Sequence, residues 1–391
     1  MAINSDFWRA KSVFVTGHTG FKGSWLTIWL AKMGANVHGY ALSPEQPKSL
    51  FDQANVNSYL SSHTIGDVVD RLKLAQCIKT SDPDVIFHLA AQPLVLESYT
   101  NPVKTFEVNI QGTVNLLDIS RNLSKQCAII VVTSDKCYEN NEWEWPYREV
   151  DRLGGSDPYS NSKACAELVV SSFRKSYFSK LESSAPWHGL ATARAGNVIG
   201  GCDWARHRLI PDFFRSLEEK SPLQVRNPTA TRPWQNILEC LGGYLLLAEK
   251  LYDSPEQYSN AWNFGPLPQQ NLSVQQLIDT LNQLCESKAD ISYQPLIHGS
   301  EHQQLALDIS KANLKLGWYP IWKIEDTLEA LVACYLAGDD EVELSSLIDQ
   351  QINFWDFCTR KRIEAINVSC CSYRKFSACF RTNRFGKRIS S

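Results

Sequence analysis

Eight residues near the start of the chain, Thr16-Gly17-His18-Thr19-Gly20-Phe21-Lys22-Gly23, restrict its fold more than any other stretch. They follow a short β-branched and aromatic run at 12–16. They precede a broadly apolar segment at 24–33, where Trp25, Leu26, Ile28, Trp29 and Leu30 predict a helix. A glycine-rich turn joining a strand to a helix lets backbone N–H groups approach a pyrophosphate at the helix N-terminus. The spacing is GxxGxxG rather than GxGxxG, and a tight turn that only needs positive φ would use the same glycines. Position between strand and helix favours the cofactor cradle.

The same rhythm continues downstream. Strands are expected at 36–40, 84–89, 128–133 and 190–194, with helices over 102–123 and 159–177 and a polar, Trp-rich loop over 139–155. This alternation predicts an α/β fold, a Rossmann-type doubly wound parallel sheet with a smaller C-terminal substrate-binding α/β domain. The boundaries read as a dinucleotide-binding domain carrying the catalytic residues over 1–195 and a mainly substrate-binding domain over 196–357, which can cross back to the sheet. Short helices are expected near 237–251, 273–286 and 324–337.

Residues 358–391 carry nine basic side chains against one acidic, a net of +8, which leaves −11 on the body of a chain whose total is −3. That segment lacks periodicity and reads as a disordered, cysteine-containing basic tail. The body has no basic excess to attract nucleic acid or an anionic membrane, so a small-molecule partner is the expectation. Eight cysteines lie singly and far apart, as reduced thiols do in a cytoplasmic protein. No signal peptide, membrane span or metal-ligand spacing is visible.

Further candidates fall at the ends of the expected strands. Asp67 and Val68 follow a further expected strand that ends before Gly66, where a carboxylate can accept from an adenine amino group; a helix N-cap at Asp67 or Asp70 is an equal alternative. His88-Leu89-Ala90-Ala91 ends the next strand with small residues beside the sheet's C-terminal edge, and His88 itself reads as a structural hydrogen-bonder. The second strand ends without an acid or an Arg, leaving NAD against NADP open. Tyr159 and Lys163, at i and i+4 on one helix face, pair a phenol with a cation that would lower its pKa. Ser134-Asp135-Lys136 ends the most apolar strand with a hydroxyl, a carboxylate and an amine.

TGxxGFxG at 16–23, GDxxD at 66–70, HLAAQ at 88–92, the strand-end hydroxyl and YxxxK at 159–163, in this order, resemble the extended short-chain dehydrogenase/reductase family. TSDKCY at 133–138, DPYSNSK at 157–163, RAGNVIGGCDW at 194–204, RNPTATRPWQ at 226–235 and WNFGP at 262–266 narrow the resemblance to its nucleotide-sugar 4,6-dehydratases, over residues 7–357. The resemblance implies an NAD-dependent lyase acting on CDP-glucose. It assigns catalysis to Ser134, Asp135, Lys136, Tyr159 and Lys163. Cofactor contacts fall on Gly17, Gly20, Phe21, Lys22, Gly23, Asp67, Val68, Leu89, Ala90 and Ala91, with Tyr159 and Lys163. Substrate contacts fall on Asn197, Arg208, Arg226, Arg232 and Trp234, with Trp204 as a further stacking candidate. It also implies a homodimer or dimer of dimers, paired through the helices at 102–123 and 159–177, in cytoplasmic polysaccharide biosynthesis.

The chain departs from that family at Leu96 and Glu97, where an Arg is usual at 96. It departs again at Cys202, usually Gly, and at Asn236 and Cys240, usually His and Pro. A related epimerase or reductase and a catalytically silent NAD-binding protein are the alternatives, and the Asp135–Lys136 pair argues against the first.

Overall fold

The computed structural model describes residues 2–44, 48–178, 187–267, 271–293 and 305–364. Seven parallel strands form the central sheet, numbered here in chain order: β1 Ser12–Thr16, β2 Asn36–Ala41, β3 Ser62–Ile65, β4 Val85–His88, β5 Ala128–Val132, β6 Gly189–Arg194 and β7 Ala261–Asn263. Their spatial order is β7-β6-β5-β4-β1-β2-β3. The chain winds outward from β1 to β3, then restarts beside β1 at β4 and winds the other way. That reversal opens a crevice at the C-terminal ends of β1 and β4, where sheets of this kind bind ligands. Register brings the ends level: Thr16 pairs with Tyr40 and with His88, His88 with Val131, and Val132 with Ala193.

All five residues of β5 (AIIVV) are buried, as expected of a parallel strand covered by helices on both faces. On one face the helix Phe21–Lys32 buries Trp25 and Trp29. Trp29 packs edge-to-face on Trp355 at 5.2 Å. The helix Pro158–Ser176 starts sharply because Asp157 accepts from the Ser160 N–H at 2.9 Å and Pro158 occupies the first turn.

Beyond β6 the chain forms short strand pairs, Val198–Ile199 with Gln235–Asn236 and Leu223–Val225 with Ile291–Tyr293. The helix Ile237–Asp253 is buried along most of its length. The chain then returns to the sheet as β7.

Three expectations change. The helix expected over 102–123 is Pro102–Phe106 and Gly112–Ser120 joined by a π turn at Glu107–Gln111. The helix expected over 24–33 begins at Phe21, three residues early, because the glycine turn feeds straight into it. The tail does not begin at 358: the helix Glu341–Glu364 runs through that point, since Cys358 and Thr359 are buried against the core. The remainder of the expected tail, 365–391, lies outside the described residues.

Nine described cysteines are free thiols, seven of them buried. Among the described residues, no helix is long and apolar enough to cross a membrane.

Candidate active site

The glycine turn is built for close approach. Gly17 has φ +77°, and a Cβ there would meet the Ala90 backbone nitrogen at 2.8 Å. A Cβ on Gly23 would lie 2.1 Å from the Gly17 carbonyl oxygen, so the first turn of the helix can sit on the loop only with glycine there. Thr16 Oγ1 lies 2.8 Å from His88 Nδ1 and accepts from the Ala90 N–H at 3.2 Å, tying the β1 and β4 ends together. Burial, aided by the Lys163 charge, pushes His88 down to about 3, so it is a neutral hydrogen-bonder, as expected.

The crevice holds a cavity of about 330 Å³ lined by every expected cofactor residue: Gly17, Gly20, Phe21, Lys22, Gly23, Asp67, Val68, Leu89, Ala90, Ala91, Tyr159 and Lys163. A dinucleotide's pyrophosphate fits the glycine cradle at the helix N-terminus. The N-cap alternative resolves onto Asp70, which accepts from the Lys73 N–H at 3.1 Å. Asp67 instead lines the cavity and pairs with Lys104 at 3.0 Å.

A second cavity, of about 800 Å³, shares Phe21, Lys22, Ser134, Tyr159, Asp203 and Arg208 with the first. It takes in Asp135, Lys136, Asn197, Arg226, Arg232 and Trp234, so every expected catalytic and substrate residue borders one cavity or both. Ser134 caps the short turn Asp135–Cys137, accepting from the Lys136 N–H at 3.2 Å and donating to Asp135 Oδ1 at 3.0 Å. Asp135 is buried, and its carboxylate occupies space that only a glycine at 196 leaves: a Cβ there would stand 1.8 Å from Oδ2.

Tyr159 departs from expectation. Burial pushes its phenol up to about 12, opposed by a hydrogen bond with Ser134 and by the Arg208 charge rather than by Lys163. The Lys163 ammonium donates instead to the Val132 carbonyl at 3.4 Å. Burial and the Lys22 charge push Lys163 down to about 8.

Behind this face lies a buried network that the sequence reading did not anticipate. Glu167, one further helical turn along the face bearing Tyr159 and Lys163, meets Arg194 through two hydrogen bonds at 2.8 and 2.7 Å, and both side chains are 3% exposed. The Glu167 carboxylate also accepts from Thr133 at 2.5 Å and Thr192 at 2.8 Å. Arg194 donates to the Tyr138 hydroxyl at 2.7 Å, and that hydroxyl donates to Asn263 Oδ1 at 2.8 Å. The ends of β5, β6 and β7 are thus locked to one helix immediately beneath Ser134 and Asp135. The i, i+4, i+8 spacing of Tyr159, Lys163 and Glu167 is the signal that could have found it.

The departures resolve individually. Cys202 is buried with φ +60°, a conformation glycine adopts without strain. Asn236 caps the helix Ile237–Asp253, accepting from the Leu238 N–H at 2.8 Å, so it is a sound choice there. Cys240 is buried in that helix's first turn, its thiol 3.2 Å from the Ile237 carbonyl oxygen. Leu96 lines the larger cavity, whereas Glu97 is exposed and lines neither. Arg208 pairs with Asp203 at 2.8 Å, Arg226 is exposed at the cavity, and Trp234 donates to the Leu272 carbonyl at 3.0 Å. Trp204 packs edge-to-face on Tyr335 and donates to Gln53 at 2.8 Å, which makes it a packing residue at the cofactor cavity.

Comparison with known proteins adds to this geometry. The family model described as GDP-mannose 4,6 dehydratase matches residues 14–331. The CDP-glucose 4,6-dehydratase of Salmonella typhimurium is 47% identical over 341 residues, covering 86% of this chain and 95% of that protein. Among solved structures, the epimerase Mth375 of Methanothermobacter thermautotrophicus superposes with a TM-score of 0.72 at 24% identity, covering 88% of this chain and 96% of that one. UDP-glucose 4-epimerase from Brucella ovis, solved in complex with NAD, gives 0.68 at 20% identity over 82% and 96% of the two chains.

Proposed function

The chain belongs to the GDP-mannose 4,6 dehydratase family, within the extended short-chain dehydrogenases/reductases, and from that premise we infer that it is an NAD-dependent lyase converting CDP-glucose to CDP-4-keto-6-deoxyglucose and water. The observation that carries this reading is the meeting, at Ser134 and Tyr159, of a crevice lined by the glycine turn with a larger cavity that takes in Asp135 and Lys136. An epimerase needs the first pair; water loss needs the second as well.

NAD, when bound, would take up the C4 hydride of the sugar and return it to C6. Tyr159, once ionised, would remove the 4-hydroxyl proton, with the Ser134 hydrogen bond and the Arg208 charge favouring the phenolate against burial and Lys163 orienting the cofactor ribose beside it. The 4-ketone acidifies the C5 hydrogen, which Lys136 would abstract. Asp135 would protonate the departing 6-hydroxyl as general acid. The backbone of residues 17–23, with Asp67, Val68 and Leu89–Ala91, would hold the cofactor. Arg208, Arg226 and Arg232 would hold the diphosphate, since guanidinium groups bind phosphate oxygens in pairs. Asn197 and Trp234 would frame the sugar and base.

CDP as the nucleotide is supported by the 47% identity to the Salmonella enzyme. The 1–195 and 196–357 division belongs to the same reading. So does a homodimer or dimer of dimers formed through the helices at 102–120 and 158–176, whose outer faces leave Val103 and Leu168 exposed. A cytoplasmic role in polysaccharide biosynthesis completes it.

The test is CDP-glucose carrying deuterium at C4. A dehydratase transfers the label to C6 of a product 18 Da lighter. An epimerase leaves it at C4 with no loss of mass, which would overturn the reading.

A further inference from the structure

Lys22 stands in the first turn of the helix Phe21–Lys32, where its backbone N–H belongs to the phosphate cradle. Its side chain does something else. It lines both cavities at their junction, together with Ser134, Tyr159 and Arg208. It is half-buried and makes no hydrogen bond or ion pair with any described residue. Arg208 beside it pairs with Asp203 at 2.8 Å, and Lys163 has the Val132 carbonyl. Lys136 reaches only the larger cavity.

A cation drawn out of water without a partner is costly, and such a group is usually met by an anion. Burial pulls the Lys22 pKa down; Cys240 opposes that, the Arg208 charge adds to it, and the Asp135 and Asp203 carboxylates oppose it in part. An ammonium serving only the cofactor's pyrophosphate would line only the cofactor cavity. This one borders the larger cavity as well, at the same junction as the Ser134 and Tyr159 hydroxyls.

We propose that Lys22 is a catalytic residue of the elimination, its ammonium stabilising the oxyanion that forms on the sugar's C4 oxygen when C5 loses its proton. This rests on the dehydratase reading. In that step the C5–H bond breaks and the proton passes to Lys136. The bonding pair becomes the C4–C5 double bond and displaces the carbonyl pair onto the 4-oxygen. That pair then returns as the C6–O bond breaks, and the hydroxyl leaves as water with the Asp135 proton. Lys22 exchanges no atom; it lowers the energy of the enolate, as a preorganised donor does at a developing oxyanion.

The step can be isolated from oxidation by incubating the product, CDP-4-keto-6-deoxyglucose, with the holoenzyme in D₂O and following deuterium entry at C5 by mass. Lys22→Met is expected to slow exchange by about 10²–10³-fold, the usual effect of removing one oxyanion donor. Its NAD affinity, read by quenching of tryptophan fluorescence, is expected to stay within a few-fold of the natural protein. Lys22→Arg, which keeps the charge, is expected to restore part of the exchange and serves as the test if Lys22→Met does not fold. Exchange by Lys22→Met at the natural rate overturns the proposal, as does a loss of NAD binding that accounts for the whole defect. If the natural protein itself exchanges no C5 hydrogen, the dehydratase reading and the Lys22 role fall together. Exchange by the natural protein and the variant alike removes only the second.

Discussion

Glu167→Gln is the substitution through which the buried network can be weighed. The carboxylate accepts four hydrogen bonds, two from Arg194 and one each from Thr133 and Thr192, and both ends of the ion pair are 3% exposed. Gln keeps the shape, removes the charge and leaves Arg194 buried without its ion-pair partner. Breaking such a pair from one side costs about 3–5 kcal/mol. At about 2.1 cal/mol/K per residue, unfolding a chain of 391 residues carries roughly 0.8 kcal/mol/K, so the melting temperature should fall by about 4–6 °C. Pairing Glu167→Leu with Arg194→Met removes both charges, and this double variant should be more stable than the sum of its single variants by about 2 kcal/mol or more. Burial raises the Glu167 pKa, but the charge and hydrogen bonds of Arg194, with those of Thr133 and Thr192, outweigh it and leave the folded value below that of an ordinary Glu. A depressed folded pKa stabilises above the unfolded value and loses that stability as pH falls through the folded one. The penalty in Glu167→Gln should therefore be full at pH 7 and shrink only in acid. Calorimetry at pH 7 showing a melting temperature within 1 °C of the natural protein, or additive single variants, would refute the reasoning.

Tyr159→Phe should lower turnover by about 10²–10⁴-fold, the range for a lost acid–base group, while isothermal titration shows NAD still binding. Gly17→Ala places a Cβ 2.8 Å from the Ala90 nitrogen at φ +77°, so titration should find NAD affinity reduced more than tenfold. Asp135→Asn should still oxidise the sugar but lose water slowly, seen as absorbance at 340 nm accumulating in a single turnover. Lys163, pushed down to about 8, is a cation below that pH and neutral above it, so kcat should fall as pH rises through 8. Removing the repelling Lys22 charge should move that limb upward in Lys22→Met.

The strands that carry the site were legible because a buried parallel strand is a continuous apolar run, and β5 is one from Ala128 to Val132. The glycine turn was legible because its place between β1 and a helix is local information. Every residue nominated for the site borders one of the two confluent cavities or both, those at the sheet because its strand ends converge on one edge. What sequence could not convey was pairing across distance. Glu167 and Arg194 are 27 positions apart, and the packing of the helix Pro158–Ser176 against the end of β6 brings them together. Likewise, YxxxK spacing suggested that Lys163 tunes Tyr159, but the lysine turns to the Val132 carbonyl and Arg208 supplies the nearby charge. The last helix escaped notice because its buried face mixes Leu344, Ile348 and Trp355 with Gln351 and Thr359, blurring the apolar period.

The most direct test of the account is parallel incubation of the purified protein and NAD with CDP-glucose and with dTDP-glucose, following loss of 18 Da and the alkaline absorbance of a 4-keto sugar. The account predicts dehydration of CDP-glucose and none of dTDP-glucose. Intact CDP-glucose after incubation with a protein that demonstrably binds NAD would contradict it.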